Sequence, residues 1–143
     1  MKIKQIAIFL ENRSGRLAEV TKLLGDNDIN IRALSLADTS DFGILRLIVN
    51  EPDKAYNILK QGGFAAAETE VIAIEIPDKP GGIASVLEIL NAENINVEYL
   101  YASLEKSKEN AIVIFRFEEL DKVINILQEN KVNILREEEV YRL

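Results

Sequence analysis

The stretch IAIFLENRSGRLAEVTKLLGDNDINIRAL (Ile6 to Leu34) lies without a gap on IAIEIPDKPGGIASVLEILNAENINVEYL (Ile72 to Leu100) when the chain is displaced by 66 residues. Ile6, Ala7, Ile8, Gly15, Ala18, Val20, Leu24, Ile29, Asn30 and Leu34 fall on Ile72, Ala73, Ile74, Gly81, Ala84, Val86, Leu90, Ile95, Asn96 and Leu100. Self-similarity at a fixed displacement reveals duplication more reliably than local propensity. After a loop two residues longer in the second copy, the displacement becomes 68. Ile44, Asp53, Lys54, Asn57, Ile58 and Leu59 then meet Ile112, Asp121, Lys122, Asn125, Ile126 and Leu127. The repeat covers nearly all of the 143 residues and predicts two domains, 1–70 and 71–143.

Each copy begins with apolar residues at a period of two, Ile6, Ile8 and Leu10 or Ile72, Ile74 and Ile76, as in a half-buried strand. An apolar stripe at helical spacing follows, Leu17, Val20, Leu23 and Leu24 or Ile83, Val86, Ile89 and Leu90, with Asp26-Asn27 or Asn91 suited to ending the helix. INIRALSLAD and INVEYLYASL read as second strands, and GILRLIVN and AIVIFRFE, across a polar turn, as third. A second helix begins near Glu51-Pro52 and stops at Gly62-Gly63, where a left-handed cap is available. Its counterpart runs from Leu120 to Glu129. A last strand is expected near Phe64 to Val71 and near Val132 to Tyr141.

The order strand, helix, strand, strand, helix, strand, twice over, with right-handed crossovers, predicts an α+β protein. Its architecture is two ferredoxin-like βαββαβ domains in tandem, antiparallel sheets joined side by side, with helices on one face. ETEVIAIEI (Glu68 to Ile76) joins the copies without Gly, Pro or a polar spacer, so the domains are expected to sit rigidly together. Strict alternation would place Phe9, Leu34 and Leu36 on the sheet face away from the helices, opposite Ile29 and Ile31. An exposed apolar patch of that kind predicts a homodimer with sheets packed face to face.

Composition narrows the chemistry. Hydrophobic residues make up 48% and charged residues 29%, a globular balance, and no run approaches the length of a membrane span. No signal-peptide pattern follows the N-terminus, so a cytoplasmic location is expected, with no membrane partner. Cysteine and histidine are absent, which removes disulfides, thiolate nucleophiles, imidazole bases and the commonest zinc ligands. The net charge of −7 disfavours a nucleic-acid partner. From Val71 onward there are 8 basic and 14 acidic residues, so the acidic excess sits in the second copy, where it reads as a solvated surface.

The turn between first strand and first helix is the place for function. A glycine there permits otherwise forbidden backbone angles and a close helix approach. The helix it opens also presents unpaired N–H groups and partial positive charge, a seat for a carboxylate. Asn12 and Asp78 stand three residues before Gly15 and Gly81, and Asn30 and Asn96 stand fifteen after. Asn offers donor and acceptor and Asp acceptors only, so the set could hold the ammonium and carboxylate of a free amino acid. Read singly, the same residues serve equally as turn-stabilising Asx positions or strand-entry turns.

NRSGRL followed by DINI, and DKPGGI followed by NINV, resemble the ACT domain pattern: strand, Asn or Asp, a basic residue, Pro, Gly, a hydrophobe, then a helix and a Val-Asn-Ile-like strand. The resemblance spans essentially the whole chain. It implies a small-molecule sensor, commonly of amino acids, whose paired domains join sheets edge to edge. Ligand would sit between the glycine loop of one and the second strand of the other. By that resemblance Leu10, Glu11, Asn12, Arg13, Ser14, Gly15, Arg16 and Leu17 would line one pocket, opposite Asn96. Ile76, Asp78, Lys79, Pro80, Gly81, Gly82 and Ile83 would line the other, opposite Asn30. The chain departs from the pattern at Ser14, where Pro is usual, and at Asp78, where Asn12 stands in the first copy. An extra carboxylate at Asp78 would repel a ligand carboxylate unless it meets the ammonium or caps the helix, so the Asn12 loop is the better seat.

The expected function is a ligand-binding regulatory protein, a sensor of free amino acids, with no catalytic residue, cofactor or metal. It would act through its dimer or through a regulated partner protein. A ligand-free structural or protein-interaction module is the alternative. An acylphosphatase-like hydrolase of the same fold, using Arg13 or Arg16 with Asn30, lacks an accompanying base.

Overall fold

The computed structural model describes residues 1–38 and 41–143. The chain divides into two compact units, Lys4–Thr69 and Glu70–Leu143 with Met1–Ile3.

The first unit contains β1 (Ile3–Glu11), α1 (Arg16–Asp26), β2 (Ile31–Asp38), β3 (Phe42–Val49), α2 (Pro52–Gln61) and the beginning of β4 (Ala65–Pro77). The strands are ordered β2-β3-β1-β4. Alternation turns Ile6, Ile8 and Leu10 to one face, where they pair with Leu47, Leu45 and Gly43 of antiparallel β3. Val20 and Leu24 of α1 and Ala55 and Leu59 of α2 pack on that face with Ile29 and Phe64, which makes it the helix-bearing one. Pro52 is the first residue of α2, where its missing N–H costs nothing, and Gly63 at φ +85° takes the left-handed position after the helix. The turn expected between β2 and β3 includes residues 39 and 40, which lie outside the described residues.

The second unit holds the end of β4, then α3 (Gly82–Ala92), β5 (Tyr99–Ala102), β6 (Asn110–Arg116), α4 (Leu120–Glu129), β7 (Asn133–Ile134) and α5 (Glu137–Tyr141). Ile74 of β4 pairs with Val113 on one side and Ile134 on the other, and β5 lies beyond β6, all antiparallel. Its core repeats the first: Ile72, Ile74 and Ile76, then Val86 and Leu90, then Val123 and Leu127. Phe115 and Phe117 stack at 5.6 Å between ring centroids. The fold is α+β, a tandem of ferredoxin-like βαββαβ units.

Three expectations need correction. The first is the exposed patch. Ile31 pairs with Val49 but Ala33 with Ile48, so Arg32 is an extra residue, a bulge, and β2 changes face there. Leu34 and Leu36 then pair with Leu47 and Leu45 on the helix-bearing face, while Phe9 pairs with Ile44 on the other. All three are exposed, at 37%, 51% and 51% for Leu34, Leu36 and Phe9, but they do not form one patch. Leu34 and Leu36 form an apolar shoulder on the edge strand β2.

The second correction is the last strand, which covers Asn133–Ile134 only. Leu135 N–H still donates to Ala73 O at 2.9 Å, and then three consecutive glutamates, Glu137 to Glu139, occupy the first turn of α5. Negative charge there favours helix over strand, Arg136 Nε donates to Glu139 at 2.8 Å, and buried Val140 anchors the turn. The third is β5, confined to Tyr99–Ala102, because Ile95 and Val97 pack against the core instead. No helix among the described residues is long and apolar enough to cross a membrane.

Candidate functional site

Both glycine turns have the same backbone. Gly15 at φ +90° and Gly81 at φ +85° stand as N-caps of α1 and α3 without any side-chain cap. Arg13 N–H donates to Glu11 O and Lys79 N–H to Pro77 O, at 2.8 and 2.9 Å. Glu19 N–H makes the first helical bond of α1, to Gly15 O, and Ser85 N–H that of α3, to Gly81 O. The N–H groups ahead of these, on Leu17 and Ala18 or Ile83 and Ala84, lie at the positive helix end.

The side chains make the turns unequal. At the first, Leu10, Glu11, Asn12, Arg13, Arg16 and Leu17 line a cavity of about 90 Å³ together with Leu36 and Gly43. Asn12 N–H donates to Asp41 O at 2.8 Å, which holds the turn to the start of β3. Arg16 does not point freely into the cavity. Its Nε lies 2.8 Å from Glu11, Nη1 donates to Glu19 at 2.7 Å, and the guanidinium lies 4.7 Å over the Phe64 ring. Arg13, 3.5 Å from Glu11, is the more exposed cation. Ser14 and Gly15 are exposed at the turn and do not line this cavity.

At the second turn Asp78 forms an ion pair with Lys106. With Pro77, Lys79, Lys108, Glu109 and Asn110 these residues line an open groove. Asp78 therefore neither caps α3 nor stands unpaired. Lys79 and Gly82 also line a separate cavity beside β7. Pro80, Gly81 and Ile83 are exposed and line neither space. Ile76, expected beside a ligand, is instead buried in the core, because its side chain falls on the helix-bearing face of β4.

The two later asparagines sit away from the turns of their own units. Asn30 follows α1 at its C-terminal end, where its N–H donates to Asn50 Oδ1 at 2.9 Å and its carbonyl accepts from Asn50 N–H. An 11-residue helix, about 16 Å long, separates it from Gly15. Asn96 lines a cavity with Asn94, Glu98, Glu118, Glu119 and Lys122. Leu36 and Gly43 line the first cavity without any signal in the turn's own sequence. Only the β2 bulge and the β2-β3-β1 pairing bring them beside Leu10.

Glu75 is the notable carboxylate outside the turns. Hydrogen bonds from Ser107, Asn133 and Asn110, with Lys108 nearby, outweigh its partial burial and hold it below its ordinary 4.5. A depressed carboxylate contributes stability in full above its unfolded value and loses it as the pH falls through the lowered folded one. Glu75→Gln should therefore flatten the acid side of the stability profile, read from urea midpoints at about pH 7 and about pH 3. An identical pH profile in the variant would show the network to be inert.

Two βαββαβ units, each opening its first helix at a left-handed glycine, make the chain a tandem of ferredoxin-like domains. The chain belongs to the ACT domain pair family, whose model matches residues 1–143. The structure is similar to that of protein BT0572 from Bacteroides thetaiotaomicron, with 46% identity, a TM-score of 0.94, and coverage of 100% of this chain and 98% of that one. It shares its fold with the regulatory subunit of aspartate kinase from Thermus thermophilus, at 14% identity and a TM-score of 0.63, over 88% of this chain and 91% of that one. No curated protein matches the sequence.

Proposed function

We propose that this protein is a cytoplasmic sensor of a free amino acid, seated at the Asn12–Leu17 turn, acting as a homodimer or through a regulated partner protein. The observation that carries this reading is the contrast between the turns. The first turn lines a cavity beside the start of α1, with Asn12 among the lining residues and Arg16 held by Glu11 and Glu19. A ligand carboxylate at the helix end would complement its partial positive charge, and a ligand ammonium would share Glu11 with Arg13 and Arg16. At the second turn Asp78, paired with Lys106, borders an open groove that surrounds a ligand less completely. The apolar shoulder of Leu34 and Leu36 on edge strand β2 is the surface offered to a second copy.

A thermal-shift screen against the twenty amino acids tests the sensor. A ligand at about 100 times its Kd should stabilise the fold by about 2.7 kcal/mol, and no shift with any of them would reject the reading. Light scattering on the same samples should give twice the 16.1 kDa chain mass. A single-chain mass with and without ligand would remove the dimer from the proposal.

A further inference from the structure

In the second unit a cavity of about 340 Å³ lies between α3 and β7, walled by Val86, Ile89 and Val132 and bordered by Lys79, Lys131 and Glu75. The internal repeat explains why it is open. In the first unit the corresponding space is filled. Phe64, the counterpart of Val132, is buried there, and Arg16, the counterpart of Gly82, stacks on its ring while pairing with Glu11 and Glu19. The backbones agree closely. Phe64 N–H donates to Leu59 O at 3.0 Å and Val132 N–H to Leu127 O at 2.9 Å, and Gly63 and Lys131 both take positive φ.

The second unit has thus exchanged a phenylalanine and an arginine for a valine and a glycine, and the start of α3 lies closer to the end of β4 than the Cβ of Arg16 would allow at the start of α1. No side chain can refill the space from position 82, since a Cβ there would stand 2.2 Å from Pro77 O. Lys131 also holds a left-handed conformation where the first unit uses glycine, which sets a cation at the rim at the expense of backbone strain.

The charges specify the ligand. Lys79 and Lys131, like Lys60 and Lys108, have no ion pair among the described residues, and of these four only Lys79 and Lys131 border the cavity. Glu75 has both oxygens occupied, by Asn110 at 3.2 Å and by Asn133, so it offers little to a ligand ammonium. Two cations and one saturated carboxylate leave a single positive charge over an apolar wall. We infer that this cavity is a second ligand site, distinct from the Asn12–Leu17 seat. It takes a small monocarboxylate with an apolar body and no ammonium, its head between Lys79 and Lys131 and its body against Val86, Ile89 and Val132. A pocket with an apolar lining and a few convergent polar groups is the usual form of such a site.

The test is a titration of the full chain with 4-methylpentanoate, leucine and inorganic phosphate, read from the amide NMR shifts of Lys79, Lys131 and Val132. 4-Methylpentanoate should move these amides saturably, with leucine and phosphate weaker by about 10-fold or more. Val132→Phe, which restores the phenylalanine of the first unit's filling, should abolish the response. Lys79→Met and Lys131→Met, at exposed positions that leave folding intact, should each weaken it by about 10-fold. The inference is overturned by an absent response in the wild type, by phosphate or leucine binding as tightly, or by unchanged binding in Val132→Phe. Should Val132→Phe not fold, unchanged binding in both lysine variants overturns it equally.

Discussion

Gly82→Ala should destabilise the protein by about 3 kcal/mol or more, a large share of the roughly 5–15 kcal/mol that holds a typical domain together. The added Cβ would lie 2.2 Å from Pro77 O and 3.1 Å from Ile76 Cγ2. The nearest obstacle is backbone, so relief requires moving α3 away from the end of β4, and Ile76 belongs to the core that such a shift would loosen. Gly25→Ala provides the contrast. Gly25 lies within α1 with nothing within 4 Å of the new methyl and no positive φ, so alanine should be neutral or stabilising by up to about 1 kcal/mol. Urea unfolding of the two variants measures both, and a Gly82→Ala loss under about 0.5 kcal/mol would show the approach of α3 to Pro77 to be looser than described.

Gly15→Asp should abolish amino-acid binding at the first turn while leaving the fold intact. The new Cβ meets nothing within 4 Å, so the cost is the left-handed φ of +90°, about 1–2 kcal/mol for an L-residue. A carboxylate at the N-terminus of α1 returns about 0.3–1 kcal/mol through the helix dipole. That carboxylate competes for the N–H groups proposed to hold the ligand. Affinity for the amino acid identified by the thermal-shift screen should fall more than about 100-fold, near 2.8 kcal/mol. Calorimetry showing wild-type affinity in Gly15→Asp would overturn the assignment of the seat.

Much of the architecture was legible because each element is written twice. Ile6, Ile8 and Leu10 and their repeats predict the inward faces of β1 and β4. Glu51-Pro52 and Gly62-Gly63 bracket α2, and Leu120 to Glu129 is α4 residue for residue. Sequence and structure part where the local pattern is ambiguous. An unbroken alternation across Arg32 contains no mark of a bulge, so the sequence pattern puts Leu34 and Leu36 on the face opposite to the one they occupy. VNILREEEV alternates enough to pass for a strand, but its three glutamates stabilise a helix start once the chain has passed Ala73.

The candidate site divides in the same way. Residues contiguous in the turn, Leu10 to Arg13 with Arg16 and Leu17, line one cavity because a tight turn keeps chain neighbours together. Leu36 and Gly43 arrive through strand pairing. The stacking of Arg16 on Phe64, the ion pair of Asp78 with Lys106 and the open space beside Val132 depend on side chains far apart in the chain.

The amino-acid order alone establishes a duplicated βαββαβ chain with a glycine turn at each first helix, because strand and helix periodicities are local and survive duplication. The inequality of the two copies came from tertiary packing. Whether a space between elements is filled or open depends on the volumes of residues about 50 apart in the chain, Arg16 with Phe64 and Gly82 with Val132, and no local pattern records that sum.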